Sequence, residues 1–149
     1  MKKIAIATVI ALAATAASAL EMGITATRDY AGSNRNFGGV TIGNTYGKLN
    51  ATAGFERSAV GADDQNRYSL VGGYDVATLG PVTVTPKVGV AYLDNQASAD
   101  GYAMTVGVGA SVPVNKQVSF TVDFARQYGQ TRVQAFDGNR TTVGLKYKF

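Results

Sequence analysis

The chain has no cysteine and no histidine, and only 3 of its 149 residues are proline. Without cysteine there are no disulfides, so packing or closure of a sheet must hold it together. Without histidine or a thiol it lacks both the usual general base and a strong nucleophile, and serine–aspartate arrangements without a base are weak candidates. Neither enzyme activity nor a cofactor or metal centre is expected. Long apolar runs are missing as well. Beyond the first stretch, no segment offers the roughly 18 uninterrupted apolar residues that a spanning helix needs. Charge of one sign is modest: the formal net charge of +4 includes Lys2 and Lys3, and the rest of the chain carries +2. No nucleic-acid surface is expected from that balance.

What is present begins with Met1-Lys2-Lys3, an apolar stretch from Ile4 to Ala17, and the small-x-small sequence Ala17-Ser18-Ala19. This is the pattern of a cleaved secretory signal peptide over residues 1–19. Cleavage there leaves about 130 residues, 20–149, enough for one domain. Glycine is abundant at 18 residues and mean hydropathy is close to zero. Such a balance suits a β-protein in which apolar and polar residues alternate.

Alternation is the main signal, because a period of two sends successive side chains to opposite faces of a strand. From Gln117 to Arg126, Val118, Phe120, Val122 and Phe124 share one face, and Ser119, Thr121 and Asp123 the other. The same reading covers Tyr102 to Val114, Val82 to Leu93 and Arg67 to Val76. Less regular strands are read over Leu20 to Tyr30, Phe37 to Thr45 and Lys48 to Arg57, and a last one over Asn139 to Phe149. Pro86 lacks a ladder donor, which predicts a bulge or weak point in its strand. Eight strands of about ten residues match the length and even number of a bacterial transmembrane barrel. Tyr46-Gly47, residues 77–81 and Asn115-Lys116 read as tight turns, and residues 31–36, 59–66, 94–101 and 127–138 as longer polar loops. Short turns belong on the periplasmic side and long loops outside. Residues 133–136 could extend a strand above the membrane.

A soluble sandwich or lipocalin-like barrel also alternates, with its apolar face inward. Here the polar faces carry small residues suited to a narrow interior. Tyr30, Phe37, Phe55, Tyr68, Tyr92, Tyr102 and Phe124 map to the outer rim, and Tyr74, Tyr147 and Phe149 to the inner one, as two lipid-interface girdles. The fold expected is therefore all-β, a closed antiparallel up-and-down transmembrane β-barrel of eight strands. The closing pattern of Val143, Leu145, Tyr147 and Phe149 resembles the C-terminal assembly signal of outer-membrane barrels. The chain from residue 20 resembles the small OmpA/OmpX-type and opacity-type surface barrels, with shorter loops than the adhesive members. The resemblance implies residence in the outer membrane of a Gram-negative cell as a monomer, and insertion by the outer-membrane assembly machinery with periplasmic chaperones. Lipid-modifying barrels of this size use a histidine base that is absent here, and no second, peptidoglycan-anchoring domain is expected.

Two groups of charged residues are candidate sites. Glu56, Arg67, Asp75, Lys87, Asp123, Lys146 and Lys148 fall on inward faces, where an eight-stranded lumen is only wide enough for side chains to fill it. They should pair, either as a static plug or as a salt-bridge gate in a narrow pore, with Glu56, Asp75 and Asp123 available to offset Lys146 and Lys148. Arginines cluster at outer strand ends, and the guanidinium matches phosphate bidentately. Arg28, Arg57, Arg126 and Arg140 are candidate lipopolysaccharide contacts. Asp29, Asp63, Asp64, Asp94, Asp100 and Asp137 could share divalent cations with those phosphates, or the rim could be merely solvated. The functions in view are a structural surface barrel in contact with lipopolysaccharide, a narrow porin-like channel, and an adhesin-type binder.

Overall fold

In the computed structural model, residues 20–30, 34–58, 65–95, 100–130 and 137–149 are described. The expected signal peptide, the tips of all four long loops, Asp63, Asp64 and the stretch 133–136 lie outside the described residues. The strands are β1 (Leu20–Asp29), β2 (Arg35–Tyr46), β3 (Leu49–Ser58), β4 (Gln65–Tyr74), β5 (Ala77–Leu79), β6 (Val82–Asn95), β7 (Gly101–Pro113), β8 (Val118–Gly129) and β9 (Gly138–Lys148). Every pairing is antiparallel; strands pair with their chain neighbours except that β4 pairs β6, and β1 joins β9 from Glu21↔Lys148 to Asp29↔Arg140. The sheet is thereby closed.

The short β5 continues β4 along β6, so the wall has eight strands. The β4–β6 ladder ends at Gly73↔Lys87 and resumes at Ala77↔Val84. Three residues, Tyr74, Asp75 and Val76, face two, Thr85 and Pro86. That is the bulge expected at Pro86, whose ring nitrogen has no hydrogen to give. The tight turn read over residues 77–81 is shorter than expected, because Ala77–Leu79 pairs as strand and only Gly80 and Pro81 turn. Gly47 and Gly80 both take φ of +61° as first residue of a two-residue turn, the conformation a type II′ hairpin asks of glycine. In the third turn Asn115 Oδ1 accepts the backbone N–H groups of Gln117 and Val118, at 2.8 and 2.7 Å. All three turns lie at one end of the barrel together with the start of β1 and the end of β9, and the strand ends that lead into the long loops lie at the other.

Strand tilt appears directly in the register. A single row runs from Asp29 at the loop end of β1 through Arg140, Ala125, Gly107, Lys87, Gly73 and Asn50 to Thr45. Thr45 adjoins Asn44, the partner of Leu20 at the turn end of β1. One circuit of the barrel thus descends nearly the whole length of β1, about one residue per strand, as tilts of roughly 35–45° require.

The outer surface is apolar: Ile24 is 62% exposed, Val40 55%, Val90 56% and Val108 46%. Soluble proteins seldom expose so continuous a belt, and hydrocarbon covers it at no cost. Tyr30, Phe55, Tyr68, Tyr92, Tyr102 and Phe124 face outward toward the loop end, joined by Tyr128; Tyr74, Tyr147 and Phe149 do so at the turn end, joined by Tyr46. Tyr147 and Phe149 meet edge to face with centroids 4.9 Å apart. Phe37 is a correction. It shares its face with Gly39 and Thr41, not with Val40, and is buried in the lumen.

On the inner side, glycine lets the wall close tightly. A Cβ on Gly107 would lie 2.5 Å from the Phe124 carbonyl oxygen and 2.6 Å from Ala125 Cβ, whereas one on the outward Gly72 would meet nothing nearer than 3.9 Å. Gly107→Leu is expected to destabilise the folded barrel by about 1–3 kcal/mol through overpacking, while Gly72→Ala should change little. Urea unfolding in lipid vesicles, followed by heat-modifiable gel migration, reads both.

Candidate functional site

The lumen divides into two halves of different character. Alternation along each strand sends one residue in two inward, and in the loop-side half these inward residues are large or charged. Arg67, Leu93 and Gln65 have no exposed surface at all. Ser58, Ala91, Ala103 and Gln127 are buried with them.

Four charges form the floor of this packed half: Asp29, Glu56, Arg67 and Arg140, two of each sign and all buried. Glu56 is the hub. Its Oε2 accepts from Arg140 Nη2 at 2.6 Å and from Arg67 Nη1 at 3.2 Å, and its Oε1 accepts from the Thr27 hydroxyl. Arg67 Nη2 donates to Asp29 Oδ2, and Arg140 Nε stands 3.6 Å from Asp29 Oδ1. Thr27 Oγ1 lies 2.8 Å from Thr142 Oγ1. The Arg67 guanidinium also sits over the Phe37 ring, 4.3 Å from its centre, where the ring face attracts a cation. The side chains come from β1, β2, β3, β4 and β9, so this cluster ties together the five strands that flank the seam.

Below it the lumen is a cavity of about 410 Å³. Threonine and serine dominate its walls, among them Thr25, Thr41, Thr52, Thr105 and Thr121, with Glu56 and Arg140 at one end and Lys116, Gln117 and Lys148 at the turn end. Lys87 bonds Asp123 across it. Nearer the mouth, Lys146 Nζ stands 3.5 Å from Glu21 Oε2, while Asp75 Oδ1 accepts from Asn50 Nδ2 at 2.8 Å and from the Thr85 hydroxyl at 2.6 Å.

The inward set expected from sequence is therefore all in or at the lumen, but its pairing differs. Lys146 is offset by Glu21, which the sequence reading missed, and not by Glu56, Asp75 or Asp123. Arg140 is a correction of face, and Asp29, expected on the outer side as a cation-sharing or solvated acid, is buried in the lumen beside it. Both stand at the outer height expected, yet both point inward, because Val143, Leu145 and Tyr147 claim the outward side of β9 and Ile24 and Met22 that of β1. Arg140 is thus removed from the outward arginines. Parity along each strand was the signal that could have placed both residues and Phe37.

Arg28, Arg57 and Arg126 do face outward. They sit on β1, β3 and β8, every second strand around the seam, roughly 10 Å apart. Register gives their level. Arg28 pairs Asn36 and Thr141, Arg57 pairs Gly38, and Arg126 pairs Asn139. Each flanking arginine is displaced two residues from Arg28's row over two strands, in the directions that cancel the spiral of about one residue per strand. The three guanidinium groups therefore belong to one level. Arg28 and Arg126 lie over Tyr30 and Tyr128, at 5.7 and 5.4 Å from the ring centres.

No protein-family model and no curated protein sequence matches the chain. Among solved structures it is similar to neisserial surface protein A (NspA), at 15% identity and a TM-score of 0.58, over 88% of this chain and 96% of that one. It is similar to a major outer membrane protein from Thermus thermophilus, at 16% identity and a TM-score of 0.62, over 87% and 99%. A third is Ail of Yersinia pestis, at 12% identity and a TM-score of 0.53, over 88% and 97%. Likeness at this identity concerns the fold alone. Closed sheet, exposed apolar belt, paired aromatic girdles and these neighbours agree on the fold: the chain forms a closed eight-stranded antiparallel β-barrel with a lipid-facing outer wall, similar to those of outer-membrane proteins.

Proposed function

We propose that the barrel is a sealed, non-enzymatic and mainly structural element of the outer membrane whose outer rim holds the phosphate groups of lipopolysaccharide. The observation that carries this reading is the level arc of Arg28, Arg57 and Arg126 on the lipid-facing surface. Three guanidinium groups at one level of the outer girdle match the spacing of anionic headgroups, and the phosphates of a surrounding glycolipid are groups that guanidinium binds bidentately. Outward Asn36, Asn139 and Thr141 lie between the arginines and add neutral hydrogen-bonding groups.

The packed half of the lumen supports the sealed part of the reading. Among the described residues, four buried and paired charges under a layer that includes Leu93 and Gln65 fill the loop-side half of the lumen, which favours a seal. Removing one partner of such a set leaves the others buried and unpaired, which costs about 3–5 kcal/mol. Entry by the assembly machinery would use Val143, Leu145, Tyr147 and Phe149, which face outward beside the seam.

Three measurements test these statements. Purified protein in planar bilayers is expected to give no defined conductance steps, and regular steps of fixed size would overturn sealing in favour of the channel. Glu56→Ala, which leaves Arg67 and Arg140 facing each other, is expected to lower unfolding free energy by about 3–5 kcal/mol. An effect below about 1 kcal/mol in urea titrations would mean that the cluster is solvated. Replacing Arg28, Arg57 and Arg126 together by glutamine is expected to reduce co-purifying lipopolysaccharide several-fold. Unchanged co-purification, with folding intact by gel shift, would sink the phosphate contact.

A further inference from the structure

Four outward aromatic residues occupy one register row on four adjacent strands: Phe55 pairs Tyr68, Tyr68 pairs Tyr92, and Tyr92 pairs Tyr102. Phe55 and Tyr68 have ring centres 5.2 Å apart and tilted by 44°; Tyr92 and Tyr102 are likewise 5.2 Å apart, tilted by 57°. A girdle adapted only to the lipid interface would keep its rings at one level. Doing so means stepping down about one residue per strand against the register, because rows in this direction climb toward the loops. The four rings do not step down. They rise with the row, roughly 3 Å per strand for a spacing near 4.8 Å at such tilt, so Tyr102 stands about 9 Å above Phe55.

The arginine arc supplies the reference level. Arg57 lies two residues beyond Phe55 on β3, close to the level that Tyr92 reaches two strands on, so Tyr68 lies below the arginines and Tyr102 rises above them. Where the arginines hold phosphates, the upper part of the ladder lies among what the phosphates are attached to on the outer side, the sugars of the glycolipid head. Its chemistry suits them. The apolar C–H face of a pyranose packs on an aromatic ring, while phenol and carboxylate groups take the hydroxyls. Tyr102 is 59% exposed. Tyr92 donates its hydroxyl to Asp100 Oδ2 at 2.9 Å, which fixes that ring and brings a carboxylate to the top of the ladder. Asp94 follows on the same face of β6.

The geometry points to a second, saccharide-binding surface on the β3–β4–β6–β7 side of the barrel, centred on Tyr102 and Asp100 with Tyr92 beside them and Tyr68 at its lower edge, and occupied by the core oligosaccharide of the surrounding lipopolysaccharide. This inference rests on the phosphate reading for its occupant, and the two can fail separately. Full-length folded protein in nanodiscs is titrated with lipid A and with lipopolysaccharide bearing a complete core, for the wild type, a variant with leucine at positions 68, 92 and 102, one with phenylalanine at all three, and the arginine-to-glutamine triple variant. Wild type should prefer the core-bearing form about ten-fold. The leucine variant should lose that preference while binding lipid A as before, and phenylalanine should restore most of it. The arginine variant should weaken both ligands together. Equal wild-type affinity for the two ligands, or a leucine variant that keeps the preference, overturns the saccharide surface and leaves the arginine contact standing. Loss of lipid A binding by the leucine variant, with normal gel shift, would assign the rings to lipid anchoring and also overturn it. Tight binding of the free core oligosaccharide without lipid would replace the occupant by a soluble glycan.

Discussion

In hydrocarbon no water is available to satisfy a backbone N–H or carbonyl, so the ladder between β1 and β9 is the constraint on which the rest of this molecule depends. Closing the sheet there removes its two edges. Closure of eight tilted strands also sets the spiral of the register, the width of the lumen and the heights at which side chains emerge. A residue's role here follows from two coordinates, its parity along a strand and its place on that spiral.

The lumen illustrates the first coordinate. Space inside eight strands is narrow, and the chain fills it unequally. Toward the loops are Arg67, Leu93, Phe37 and Gln65; toward the turns are threonine, serine and glycine around a cavity of about 410 Å³. Burying four charges is costly, and what offsets the cost is the convergence of two arginines on two carboxylates with threonine hydroxyls and a ring face beside them. Since those side chains come from both sides of the seam, the same cluster that fills the lumen also favours the correct closure over any shifted register.

The outer wall illustrates the second coordinate. Arg28, Arg57 and Arg126 cancel the spiral and so belong to one level, whereas Phe55, Tyr68, Tyr92 and Tyr102 follow it and rise. Both sets are outward and near the loops, and their sequences alone do not distinguish a level arc from a climbing ladder. Register does. The contrast gives the two sides of the barrel's outer wall different chemistry, cationic around the seam and aromatic across β3, β4, β6 and β7.

The strands, their order and their number were legible in the chain alone, because a period of two and the spacing of turn residues are local properties that survive without a partner. So was the lipid-facing side wherever valine, leucine and aromatics dominate one parity, and so was the bulge at Pro86, which follows from a missing donor. Where both parities carry polar or mixed residues, as at the loop ends of β1, β2 and β9, height is legible and face is not, which is why Phe37 and Arg140 read as outward and Asp29 as a rim acid while the barrel turns all three into the lumen. Which charges meet was settled by the folded barrel, because Glu21 and Lys146, or Glu56 and Arg140, lie far apart in the chain and are brought together by closure. The closed register, similarly, makes three arginines level and four aromatics not. Tilt and shear belong to the barrel as a whole, and no single strand carries them.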